Sequence, residues 1–162
     1  LLWISQQHLS EMSVRDLMNE IYALNPGWGD GLEWEYLKEV VKLIKDRSKT
    51  ITEIASMSEI FFTDKLDYDS DLLSKTYNDK SIAIIKDFKS ALTSIEDWSR
   101  VELENIFKNL MEQHDVAIGQ VMKPIRVALS GIPFGPGIFD LILLLGKDIC
   151  QIRLRHTLSE VE

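Results

Sequence analysis

The most constraining feature of this 162-residue chain is the stretch from Arg126 to Gly146, RVALSGIPFGPGIFDLILLLG. An apolar-periodic run stops at Gly131, a Pro/Gly loop fills residues 132–137, and a second strongly apolar run stops at Gly146. Glycine just past the last periodic residue suits a helix C-terminus, because the left-handed conformation there costs it no Cβ clash. The pattern predicts helix, tight loop, helix. A loop held between two capped helices presents backbone groups and one or two side chains rigidly, which suits recognition better than catalysis.

The rest of the chain carries the same helical period and no sustained period-two alternation, so the fold class is all-α, without repeats. Leu1 to Leu9 places apolar residues at 1, 2, 4 and 9 with Trp3 and predicts a helix. Ser13 with Asp16 marks a helix start, and Val14, Leu17, Met18 and Ile21 its buried face. After Asn25-Pro26-Gly27 comes a loop whose Trp28 reads as packed. A helix over about Glu33 to Asp46 then buries Trp34, Leu37, Val40, Val41 and Ile44, and presents Lys38, Lys42 and Lys45 on its other face. Thr50 and Glu53 have capping-box spacing and open a helix running to Phe62. The acidic stretch DKLDYDSD (64–71) lacks the spacing and terminal Glu of a calcium loop and reads as a solvated linker. Asp79 to Ser94 is amphipathic through Ile82, Ile85, Phe88 and Leu92. Ser94 with Asp97 opens the next helix, with Trp98, Val101, Ile106, Phe107 and Leu110 as its stripe. Pro124 fits either the first turn or a kink of the helix before Gly131. The last helix covers about Lys147 to Leu158.

Composition closes off several function classes. The three histidines stand far apart, with no metal-ligand spacing, and there is neither a P-loop nor a nucleophile elbow. One cysteine, Cys150, excludes an internal disulfide framework and reads as a small apolar residue on the last helix. The longest apolar run is too short to span a bilayer, which takes about 20 residues. The start on Leu1-Leu2-Trp3, without methionine or a cleavage signal, reads as a fragment. A net charge of −8 argues against indiscriminate nucleic-acid binding. That sum conceals an asymmetry, since residues 117–158 carry +3 and residues 38–49 hold five basic side chains against two acidic.

The run from Pro124 to Leu158 resembles the C-terminal end of bacterial glutamyl-tRNA synthetases. Its Arg-x-Ala-Leu-Ser-Gly helix end (Arg126 to Gly131), Gly-Pro loop (Gly135 to Phe139) and Leu-Leu-Gly-Lys element (Leu144 to Lys147) follow in that family's order, with RLRHTL after them. Further upstream, KDRSKTITEIASMSEIFF is similar to the family's junction between the first two anticodon-region helices. The resemblance implies two helical anticodon-binding lobes, residues 11–62 and 63–162, after a stem-contact stub over residues 1–10. It also implies that the chain is the non-catalytic, tRNA-selecting part of a class I ligase. HIGH-type and KMSKS-type signatures are missing here and belong to a catalytic domain upstream in the same chain. That parent would join glutamate to tRNA(Glu) with ATP and Mg²⁺ in the cytoplasm, as a monomer, with no DNA or membrane partner, while this portion would hold no cofactor.

The same resemblance implies RNA-contact residues. Arg47 stands where the family's arginine reads the third anticodon nucleotide. The chemistry is sound, because a guanidinium offers donors to cytosine's acceptors, whereas the Watson–Crick edge of guanine presents two donors and one acceptor. Arg126 matches an arginine near the bound anticodon. Gly135, Pro136 and Ile138 match a loop that cradles anticodon bases. Lys108 and Lys123 fall at polar or basic contact positions and suit phosphates. Arg153 and Arg155 read as capping and solvating the final helix. A second reading of the same composition, a helical protein–protein interaction module, stays open at this stage.

Overall fold

The structure, a computed structural model, describes residues 6–162, all helix and loop. The expected helix over Leu1–Leu9 and the stub over 1–10 fall partly outside the described residues. From Gln6 onward a helix, α1, runs to Glu11. The chain divides into two compact units, Leu1–Thr63 and Asp64–Glu162. No described helix is long and apolar enough to cross a membrane.

In the first unit, α2 (Val14–Leu24), α3 (Trp34–Ile44), a 3₁₀ turn (Lys45–Arg47) and α4 (Ile51–Ser58) follow α1. The expected caps are made. Ser13 Oγ accepts from the Asp16 amide at 3.1 Å, and Thr50 Oγ1 from the Glu53 amide at 3.0 Å. The reciprocal arm of the second cap reaches the Lys49 amide rather than that of Thr50, at 2.6 Å. Leu17, Met18 and Ile21 meet Leu37, Val40, Val41 and Ile44 in the core, joined by Ile51 and Ile54. Trp28 is packed as expected, with its Nε1 donating to Ser58 Oγ at 2.7 Å in the interior. Trp34 corrects the sequence reading. It occupies the first turn of α3, lies parallel to the Tyr22 ring at 6.0 Å between centroids, and stays 41% exposed. Helical period gives direction around the axis but not where along it the core ends.

The second unit comprises α5 (Ser70–Thr76), α6 (Asp79–Ser94), α7 (Arg100–His114), α8 (Ile118–Ser130), α9 (Ile138–Leu145) and α10 (Lys147–Val161). Its centre is α6, which packs against α7, α8 and α10 through Ile84, Ile85, Phe88 and Leu92. Three expectations are corrected here. The acidic stretch is no mere solvated linker: Leu66 is 8% exposed, and Asp69 caps α5 by accepting from the Asp71 amide at 3.0 Å. The helix expected from Ser94 starts five residues later, where Ser99 Oγ accepts from the Glu102 amide at 3.3 Å. Two Ser-x-x-acid patterns lie in tandem, and α6 runs through the first. That shift moves the stripe to Leu103, Phe107 and Leu110, and leaves Val101 at 66% exposure. Pro124, open between two places in the sequence, lies in the interior of α8.

Cys150 is buried in α10, and loss of hydration pushes its thiol up to about 12. A raised acid pKa favours the neutral form in the fold, so that stability is present below the unfolded thiol's pKa and is lost as pH rises beyond it. At pH 8, iodoacetamide is expected to leave Cys150 unmodified in the native chain and to modify it in denaturant. Mass spectrometry of the two samples checks this. Equal labelling in both would contradict the buried, protonated thiol.

Candidate nucleic-acid interface

The loop between α8 and α9 is built from the carbonyls at the end of α8. The last four C=O groups of any helix lack partners within it. Here each of three finds one: Val127 from the Gly131 amide at 2.8 Å, Ala128 from the Tyr68 hydroxyl, and Leu129 from Arg153 Nη1 at 2.6 Å. Gly131 makes the turn at φ +77°. Ser130 Oγ donates to the carbonyls of Arg126 and Ile132, at 2.8 and 2.9 Å. Farther along, the Tyr77 hydroxyl donates to the Pro124 carbonyl at 2.6 Å. Burial raises the pKa of both tyrosines, so they remain neutral donors.

Arg153 is therefore a correction. Expected to solvate the last helix, it is 0% exposed. It shares the inward stripe of α10 with Cys150, Leu154 and Thr157, an i, i+3, i+4, i+7 spacing that was readable in the sequence. Arg155, in contrast, is exposed.

Arg126 lies half-buried on α8, and its Nη1 donates to the Pro136 carbonyl at 2.6 Å. That bond spans the loop and ties its far side to the helix. Between them Gly135 adopts φ +137°, a region in which side chains are strained, and a Cβ there would lie 3.7 Å from Arg126 Nη1. Pro136 is buried, and Ile138, the first residue of α9, is 3% exposed and packs in the core. The apolar side chain that the loop does expose is Phe134, at 66%. Sequence reasoning passed over it, although a bulky aromatic amid Pro and Gly is itself a signal. The structure thus brings Arg126, Gly135 and Pro136 together, with Phe134 beside them.

The remaining residues stand apart. Lys123 is exposed on α8 one turn before Arg126, and Lys108 is exposed on α7. In the first unit, Arg47 ends the 3₁₀ turn, exposed and without a side-chain hydrogen bond or ion pair among the described residues. The next residue is anchored, since Ser48 is buried and its Oγ donates to the Ile44 carbonyl at 2.9 Å. A free guanidinium on a fixed backbone is a base-reading geometry. Lys45 differs, because its Nζ donates to the Met12 carbonyl at 2.8 Å.

These features define an all-α recognition module, with a clamped loop in one unit and a projecting arginine in the other. The chain matches the family described as "Anticodon binding domain" over residues 11–158, and it belongs to that family. It is 30% identical over 135 residues to glutamate–tRNA ligase 2 of Thermoanaerobacter pseudethanolicus, an alignment covering 83% of this chain and 28% of that protein. It is 28% identical to the glutamate–tRNA ligase of Flavobacterium johnsoniae over 97% of this chain and 31% of the relative. The chain thus spans less than a third of either relative's length. Among solved structures, a glutamate tRNA ligase from Elizabethkingia meningosepticum superposes with a TM-score of 0.84 at 22% identity, over 99% of this chain and 32% of that one. That likeness establishes the fold.

Two substitutions probe the clamp. Arg153→Ala removes a buried donor from the Leu129 carbonyl and leaves a void, and is expected to lower stability by about 2–4 kcal/mol in denaturant titrations. Gly135→Ala forces the strained φ on a side chain and is expected to cost about 1–3 kcal/mol. Amide exchange should then accelerate in residues 132–137 before the core does, and unchanged exchange there would contradict the clamp.

Proposed function

We propose that this chain is the tRNA-selecting portion of a glutamate–tRNA ligase, binding the anticodon of tRNA(Glu) and performing no chemistry itself. The observation that carries this is the family match over residues 11–158, joined to the Arg126-clamped loop. The parent enzyme would attach glutamate to its tRNA with ATP and Mg²⁺ bound in a separate catalytic domain of the same chain, acting as a cytoplasmic monomer.

Readers of RNA sequence target unstacked bases, hydrogen-bonding their edges and stacking on aromatic faces. In this reading the loop supplies backbone groups at Gly135 and Pro136 and an aromatic face at Phe134, while Arg126 holds that arrangement in place. Ile138 supports the loop from beneath. Arg47 supplies donors to the third anticodon nucleotide, favouring cytosine. Lys108 and Lys123 meet phosphates. Selection then rests on differential binding, because a wrong base leaves desolvated polar groups unpaired at a cost of about 1–3 kcal/mol. The mixed surface charge supports selective rather than indiscriminate binding, because few cations are placed to meet phosphate.

The test compares tRNAs that differ only in C or G at the third anticodon position, bound to wild type and to Arg47→Gln. Wild type is expected to prefer C by about tenfold, matching one to two kcal/mol, and Arg47→Gln to erase the preference. Salt-sensitive binding without base preference would remove Arg47 from the mechanism. Salt-indifferent capture of an apolar peptide with no RNA binding would favour the helical protein-interaction reading instead.

A further inference from the structure

A second feature of α8 lies one turn before the clamped loop. A pocket of about 210 Å³ opens between the starts of α6 and α8, with Asn78, Lys80 and Ser81 on one side and Gln120 and Lys123 on the other. Both lysines are exposed, and neither makes an ion pair or hydrogen bond among the described residues. Asn78 and Gln120 commit their carboxamide oxygens to their own helix starts, accepting from the Ser81 and Ala117 amides at 2.9 and 3.1 Å. Their NH₂ groups are left as donors. Thr76, also in the wall, has a hydroxyl shielded from solvent and without a partner. No aspartate or glutamate lines the pocket, in a chain with 26 acidic and 18 basic side chains.

Two cations, spare donors and no carboxylate are the chemistry of an anion site, and the position tells which anion. Lys123 and Arg126 are three residues apart on α8, about 4.5 Å along the axis and on neighbouring turns of one side. A strand whose base rests on the loop at Phe134 and Gly135 runs its backbone along this side of α8. We propose that the pocket is a phosphate subsite for that RNA strand, with Lys80 and Lys123 flanking one phosphodiester and Gln120 and Asn78 donating to its oxygens. Lys80 thereby becomes an RNA-contact residue, and the subsite holds the strand in register while the loop and Arg47 read bases. The inference rests on the anticodon-binding reading and adds a contact that reads no sequence.

A phosphate contact and a base contact leave different signatures. Wild type, Lys80→Gln and the Lys80→Gln/Lys123→Gln double variant would be titrated with the C-type and G-type tRNAs across a salt series, with circular dichroism confirming the fold. Both variants are expected to lose affinity by the same factor for either tRNA. The log–log salt slope should become shallower by about 0.7 for one lysine and about 1.4 for two, the single-strand value per phosphate contact. Unchanged slopes in both variants, with wild type still preferring C, would overturn the subsite and leave the anticodon reading standing. A change in base preference would equally overturn it. Absence of tRNA binding by wild type would bring down both.

Discussion

The end of α8 is the constraint on which the second unit depends. A helix that stops in the interior strands three or four carbonyls, and each left unpaired there costs about 1–3 kcal/mol. This chain satisfies them from four directions: the Gly131 turn, the Tyr68 hydroxyl, the Arg153 guanidinium and the Ser130 side chain. Burying a guanidinium is expensive, and it persists where the donor is matched to an acceptor with no other partner. Because the partners come from α10 and from the segment before α5, the loop is rigid only when the whole unit is folded. Recognition geometry here is a consequence of packing.

The same logic separates the two arginines most relevant to the interface. Arg126 has a nitrogen committed to the Pro136 carbonyl, so its guanidinium shapes the loop. Arg47 projects from a backbone that buried Ser48 anchors, and its donors remain available. Both are long, flexible cations in the sequence. Their difference comes from what surrounds them: a carbonyl across a six-residue loop in one case, open solvent in the other. A scaffold that shapes with one arginine and reads with another loses less side-chain entropy on binding than one that orders both at once.

Much of this was legible beforehand. Gly131 and Gly146 end their helices as the pattern indicated, α6 has the expected bounds, and Ser13 and Thr50 cap the expected helices. These are local rules, acting within one turn. The misreadings share one cause. Ser94 and Ser99 are equally good caps by themselves, and what decides between them is that α6 is needed through Ser94 to complete the central packing. Trp34 has the right phase for the core but lies beyond its edge. Leu66 and Tyr68 sit in a stretch whose acids suggest solvent, yet their partners lie some 60 residues away.

The sequence by itself determined that the chain is helical, where most helices begin and end, and that a rigid Pro/Gly loop separates two of them. Side-chain period, capping chemistry and glycine's access to positive φ act over four residues or fewer, so they are written locally. Only the tertiary structure decided that Arg153 is buried, that Arg126 clamps the loop, that Phe134 rather than Ile138 faces outward, and that Lys80 and Lys123 share one pocket. Each depends on which distant carbonyl, core or cation a side chain meets, and no local pattern encodes that meeting.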